Sequence, residues 1–187
     1  MAVDRPARRP AADEHWAPDH LVLDRRVLTH AGRLFVERDA DGTVLMHSPL
    51  AGMAAVEQRY PAWALGPFGR IEPEHELPSG PGVFALVTHG TVRYVGSTPD
   101  VARMFGQRNG LGDVSRRDAQ NPRREERCRL NRLITAEAQA GRTVDVYLLV
   151  AEASGRLTRL VRRPEDDVRE IAAQLAEAAH GSWHVPS

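Results

Sequence analysis

The feature that most constrains this chain is an apolar run followed by a tight turn and a second β-prone run. Val83 to Val87 is apolar at every position, His89-Gly90 supplies the turn, and Thr91 to Val95 forms the partner segment. Two runs of strand length separated by a glycine-containing turn predict a β-hairpin. We therefore expect the chain from Gly82 onward to be organised around an antiparallel hairpin.

Helices and one more strand follow the predicted hairpin. Asp100 is a helix N-cap residue, and the amphipathic stretch from Glu125 to Ala140 predicts a longer helix that ends before Gly141. Thr143 to Val150 is rich in β-formers and predicts a strand, and Pro164 opens a final helix with acids in its first turn. The order β-β-α-α-β-α, with a third strand that can add to the hairpin, predicts the α+β class.

A Ser-Gly-Pro turn signal separates the hairpin from the N-terminal part of the chain. Residues 1–20 are polar and contain prolines, which is typical of a disordered tail. Residues 21–80 are predicted to form an N-terminal β-containing extension, with a second hairpin over residues 33–47. The predicted organisation is therefore a tail, a β-hairpin extension and a C-terminal domain over residues 81–187.

The composition excludes several kinds of site and segment. The chain has 187 residues and a single cysteine, Cys128, so it has no internal disulfide and no cysteine pair for zinc. It has no apolar run of about 18 residues, and its N-terminus lacks the apolar region of a secretory signal. We therefore expect a cytoplasmic protein without a membrane segment.

Arginine supplies all of the permanent positive side-chain charge. The 25 basic residues are balanced by 25 acids, and the formal net charge is zero. Between Arg103 and Arg132, however, nine arginines face four acids, a local excess of five positive charges. A guanidinium presents a planar fork that suits phosphate oxygens, so this stretch is a candidate DNA-binding surface. The candidate contacts are Arg116, Arg117, Arg123, Arg124, Arg129 and Arg132.

Four ordered landmarks resemble the GIY-YIG nuclease superfamily. They are Gly82-Val83-Phe84, Tyr94-Val95-Gly96 with the helix after Asp100, the segment Cys128-Arg129-Leu130-Asn131-Arg132-Leu133-Ile134, and the stretch from Leu175 to Trp183-His184. The resemblance spans roughly residues 80–187. It implies a small three-stranded antiparallel sheet flanked by helices. It also implies a divalent-metal-dependent DNA endonuclease, which hydrolyses a phosphodiester bond.

The resemblance further implies roles for particular residues. Tyr94 would position the attacking water, and Arg103 or Arg108 would stabilise charge on the phosphate. Glu170 on the last helix would hold Mg²⁺ (or Mn²⁺), because a single carboxylate with waters and phosphate oxygens suits that ion. His184 stands where the family has a terminal asparagine.

The chain departs from the family pattern at four positions of the expected site. Phe84 replaces a tyrosine and has no hydroxyl, Met104 and Ala172 stand where the arginine and the glutamate are expected, and His184 replaces the asparagine. Two alternatives to an active nuclease therefore stay open. One is a catalytically degenerate DNA-binding protein, and the other is a fold reused for a small-molecule or protein partner.

Overall fold

The structure of the protein, a computed structural model, describes residues 15–108, 110–150 and 164–184. Within these residues the strands are β1 (His20–Leu23), β2 (Arg26–Val36), β3 (Met46–His47), β4 (Phe68–Gly69), β5 (Ile71–Pro73), β6 (Gly82–Thr88), β7 (Thr91–Thr98) and β8 (Val144–Val150). The α-helices are α1 (Val56–Arg59), α2 (Ala62–Leu65), α3 (Val101–Phe105), α4 (Arg116–Ala119), α5 (Glu125–Gln139) and α6 (Pro164–Ala179), and a 3-10 turn spans Pro122–Arg124. The mixed α+β class is confirmed.

One antiparallel sheet contains most of the strands, in the order β1-β2-β8-β6-β7, with β5 also paired to β2. The predicted hairpin is β6 and β7, with Gly82 opposite Thr98 and Phe84 opposite Gly96. Strand β8 adds to the other side of β6, as expected. The prediction of a three-stranded sheet is wrong, because β2 pairs with the second edge of β8 and extends the sheet to six strands.

The N-terminal extension is part of this sheet. The predicted hairpin over residues 33–47 is only partly present: Arg38 and Val44 form a single bridge around the turn, whereas β2 pairs with β1, β5 and β8. Residues 1–14 of the predicted tail lie outside the described residues. The residues after them are held on the sheet, since Nε2 of His15 and Nε2 of His30 each lie within 3.0 Å of the buried Asp145 carboxylate.

Helices cover both faces of the sheet. Phe84 and Tyr94 lie on the face that packs against Phe105 of α3 and against Leu130 and Ile134 of α5. The opposite face carries Val83, Ala85 and Val95 and packs against α6 through Val168, Ala172 and Leu175. All seven positions of β6 are buried, which explains why Val83 to Val87 within it are all apolar.

A buried amide joins α5 to two other segments. Asn131 is fully buried, and its Nδ2 donates to the Gly69 carbonyl at 2.9 Å and to the Leu111 carbonyl at 2.7 Å. Its Oδ1 accepts from the Gly69 N–H at 3.1 Å, and Thr135 Oγ1 accepts from the same N–H at 3.0 Å. The short strand β4 and the loop before α4 are therefore fixed to α5 by polar contacts.

Among the described helices, none has both the length and the apolar character needed to cross a bilayer.

Candidate functional site

Tyr94 is the centre of a polar cluster on the α5 side of the sheet. Its side chain is 6% exposed, and its hydroxyl donates a hydrogen bond to Oε1 of Glu126 in the first turn of α5. Burial, together with the negative charge of Glu126, raises the pKa of Tyr94 well above its usual value. The phenol therefore stays protonated at neutral pH and acts as a hydrogen-bond donor.

His184 packs on the Tyr94 ring. The two ring centroids are 4.5 Å apart and the planes are inclined by 20°, so the rings are stacked. Nε2 of His184 accepts a hydrogen bond of 3.1 Å from the Val95 N–H, which requires that this nitrogen carry no proton. Burial, and next the positive charge of Arg129, lower the pKa of His184. The imidazole is therefore held in its neutral form.

The segment after α6 brings His184 from one side of the sheet to the other. The Trp183 N–H donates to the Arg93 carbonyl of β7 at 2.9 Å, and the Trp183 side chain packs in the core that contains Tyr94. At Gly181 an added Cβ would lie 2.4 Å from the Arg93 carbonyl oxygen. Only glycine lets the chain pass so close to β7, so Gly181 is needed to place His184 against Tyr94.

Arg129 completes the cluster. It lies one helical turn after Glu126 on α5, its guanidinium is 5.9 Å from the centroid of the Tyr94 ring, and its Nη1 donates to the Trp183 carbonyl. The four residues Tyr94, Glu126, Arg129 and His184 are called the Tyr94 cluster below. They bring a phenol, a carboxylate, a guanidinium and an imidazole together from β7, α5 and the segment after α6.

The glycine of the Tyr94-Val95-Gly96 landmark has a steric role. A Cβ at Gly96 would lie 2.7 Å from Cε1 of Tyr94 and 2.9 Å from Cζ of Phe84. Phe84 is fully buried and packs edge-on against Phe105 at 5.2 Å, so it is a core residue. Gly96 therefore leaves the space in which these rings meet.

The structure places the predicted site residues in different surroundings. Tyr94 and His184 come together. Arg103 and Arg108 are exposed, and the guanidinium beside the Tyr94 ring belongs to Arg129. Glu170 is exposed on α6, which covers the sheet face opposite Tyr94.

The six arginines predicted to bind DNA also differ in exposure. Arg116, Arg117 and Arg123 are exposed, whereas Arg124, Arg129 and Arg132 are partly buried. Two of the partly buried arginines donate hydrogen bonds to backbone carbonyls of distant segments. Arg129 donates to the Trp183 carbonyl, and Arg132 donates to the Ala62 carbonyl. The exposed arginines lie on α4 and on the 3-10 turn that leads into α5.

Glu126 is the site residue that the sequence did not reveal. Glu125 and Glu126 are adjacent acids in the first turn of α5, where the helix dipole favours negative charge. The spacing of Glu126 to Arg129 places both on one face, but the sequence does not show that this face meets Tyr94. In the described part of the chain no group of three or more His, Cys, Asp or Glu side chains is arranged to hold a metal ion.

Comparison of the chain with protein families, with curated proteins and with solved structures found no match.

Proposed function

We propose that this protein acts on nucleic acid and hydrolyses a phosphodiester bond at the Tyr94 cluster. The observation that carries the proposal is the convergence of Tyr94, Glu126, Arg129 and His184 from three separate elements. The cluster contains a tyrosine, an arginine and a carboxylate, as the resemblance to the GIY-YIG superfamily implies, although Arg129 and Glu126 both come from α5 and His184 replaces the asparagine. The strand order β7-β6-β8, with α3, α5 and α6 around it, supports that resemblance.

Each member of the cluster has a role that follows from its charge and protonation. Tyr94 is protonated, so it cannot accept the proton of the attacking water, and its hydroxyl orients the Glu126 carboxylate. Glu126 supplies the negative charge of the cluster. Arg129 places positive charge where the phosphate oxygens gain negative charge in the transition state.

The resemblance also implies a divalent metal ion, and the donor set of the cluster fits one. Magnesium is usually held by one or two carboxylates, with the remaining positions filled by waters and substrate phosphate oxygens. Glu126 is the carboxylate beside Tyr94 and is the residue that would hold Mg²⁺ or Mn²⁺. The ion would neutralise charge on the phosphate. DNA in the cytoplasm is the substrate that we infer.

The test is a cleavage assay on supercoiled plasmid and on single-stranded oligonucleotides with Mg²⁺ or Mn²⁺. We expect Glu126→Gln to lower the rate by about 100-fold or more, because it removes the carboxylate that would hold the divalent ion. Glu125→Gln is the matched control, since Glu125 is an exposed acid in the same helical turn, and it should keep the wild-type rate. Wild-type cleavage by the Glu126→Gln variant would overturn the assignment.

A second candidate is a protein that binds DNA without cleaving it. It is favoured by Phe84, a buried core residue at the position of a family tyrosine, and by the exposed arginines Arg116, Arg117 and Arg123. It predicts binding that weakens steeply with salt, because arginine contacts to phosphates release counterions. Salt-sensitive binding by a wild-type protein that leaves all substrates intact with both metal ions would favour this candidate.

A further inference from the structure

A second arginine-rich site lies beside the Tyr94 cluster. Nη1 of Arg127 lies 3.7 Å from Oδ1 of Asp118, and Nε of Arg124 lies 3.9 Å from the same oxygen. Neither distance is that of a hydrogen bond. The other oxygen of Asp118 accepts from the backbone and the hydroxyl of Ser115, which caps α4. One carboxylate therefore serves two guanidinium groups and a helix cap.

Arg127 has a buried nitrogen that lacks a hydrogen-bond acceptor among the described residues. Its side chain is 12% exposed, and among the described residues its buried Nη1 has no hydrogen-bond partner. A buried N–H of a charged group without an acceptor is costly, and such groups are rare in folded proteins. The structure therefore contains a largely buried guanidinium with one N–H that makes no hydrogen bond among the described residues.

The local charge points to an anion. Burial is the main cause that lowers the pKa of Arg127, and the positive charges of Arg124 and Arg103 add to it, while Asp118 acts in the opposite direction. The two guanidinium groups that share the Asp118 carboxylate give, with it, a charge of two minus one, or plus one. An oxyanion with one negative charge and several acceptor oxygens, as in a phosphodiester, would satisfy both the charge and the unpaired N–H.

We propose that Arg127 and Arg124 bind a phosphate group, and that in a nucleic-acid substrate this is the backbone phosphate next to the one hydrolysed at the Tyr94 cluster. The second part of this inference rests on the proposed function. Arg127 directly follows Glu126 on α5, and successive helical residues are rotated by about 100°, so the two sites lie on neighbouring faces of one turn. Arg124 comes from the 3-10 turn before α5.

The experiment measures binding without metal, so that it does not depend on hydrolysis. A fluorescently labelled DNA duplex is titrated with the full-length protein in EDTA at several salt concentrations. Arg127→Gln and Arg124→Gln should each weaken binding about tenfold, the effect of one lost charge-assisted hydrogen bond. Each should also reduce the slope of log affinity against log salt by about 0.9. Arg59→Gln, at an exposed arginine on α1, is the control and should bind as wild type.

A second arm uses inorganic phosphate in place of DNA. Millimolar phosphate should raise the melting temperature of the wild-type protein above that in chloride of equal ionic strength, and it should not do so in Arg127→Gln. If phosphate has this effect but the wild-type protein binds no DNA, the phosphate site is supported and the nucleic-acid function fails. If Arg127→Gln and Arg124→Gln fold and bind both phosphate and DNA as wild type does, the phosphate site is overturned, while the Tyr94 cluster stays open to its own test.

Discussion

Replacing Asn131 with alanine should destabilise the protein by removing the amide that joins α5 to β4 and to the loop before α4. The side chain is fully buried, and it donates to the carbonyls of Gly69 and Leu111 while it accepts from the Gly69 N–H. In the alanine variant the Gly69 N–H keeps its bond to Thr135 Oγ1. The carbonyls of Gly69 and Leu111 each lose an amide donor.

The size of the effect follows from these two losses. A buried polar group that loses its partner costs about 1–3 kcal/mol. Both carbonyls retain a second lone pair for other donors, so we expect a total near the lower end, about 3 kcal/mol. For a protein of this size, that corresponds to a melting temperature lower by about 6–12 °C.

Urea denaturation monitored by circular dichroism would measure the change in the free energy of unfolding. Thr135→Val is the matched control, because Thr135 is buried one turn away on α5 and contacts the same Gly69 N–H. It leaves that N–H bonded to Asn131, so its cost should be about 1 kcal/mol. A loss in Asn131→Ala no larger than that in Thr135→Val would show that the amide does not hold these segments together.

Three further changes test other parts of the structure. Gly96→Ala should lower the free energy of unfolding by about 1–3 kcal/mol, because the added Cβ would clash with the Tyr94 ring. It should also abolish the ring-current shift that stacking on Tyr94 produces in the NMR signals of His184. The pKa of His184 is lower in the folded protein than in the unfolded chain. His184 therefore contributes to the free energy of unfolding above pH 6.5, and this contribution is lost as the pH falls through the folded-state pKa. A midpoint at or above pH 6.5 in an NMR titration of the His184 ring would contradict this expectation. Hydrogen bonding to Arg33 lowers the pKa of Glu74 from 4.5 to about 2. The stability that Glu74 contributes above pH 4.5 should therefore be lost as the pH falls toward 2. Over this pH range the urea midpoint of Glu74→Gln should decline less than that of the wild-type protein.

Local patterns in the sequence predicted much of the C-terminal fold. The hairpin, the cap at Asp100, the helix over Glu125–Gln139 and the start of α6 at Pro164 are all present. Each of these depends on neighbouring residues, such as a cap, an apolar period or a turn. The pairing of β2 with β8 was not predictable in the same way, because it joins segments more than 100 residues apart and nothing local selects that partner.

The candidate site shows the same limit more sharply. Nothing in the sequence distinguishes Glu125 from the adjacent Glu126. Among the described residues, however, it is the Glu126 carboxylate that accepts a hydrogen bond from Tyr94. The difference is a rotation of about 100° around α5, and it has meaning only once the packing of α5 on the sheet is known. Glu170 was expected in this role because of its helix, and it lies on the far side of the sheet. Which residues carry charge was predictable from the sequence, but which of them meet was not.

The passage of residues 181–184 beside β7 has a consequence for association between copies of the chain. In the described sheet β7 is the outermost strand, and an outer strand offers backbone groups to which another chain can add. The Arg93 carbonyl accepts a hydrogen bond from the Trp183 N–H, and the Val95 N–H donates one to Nε2 of His184. The segment that supplies the imidazole therefore also blocks strand addition, so a change that detaches it should produce aggregation along β7 together with loss of the site.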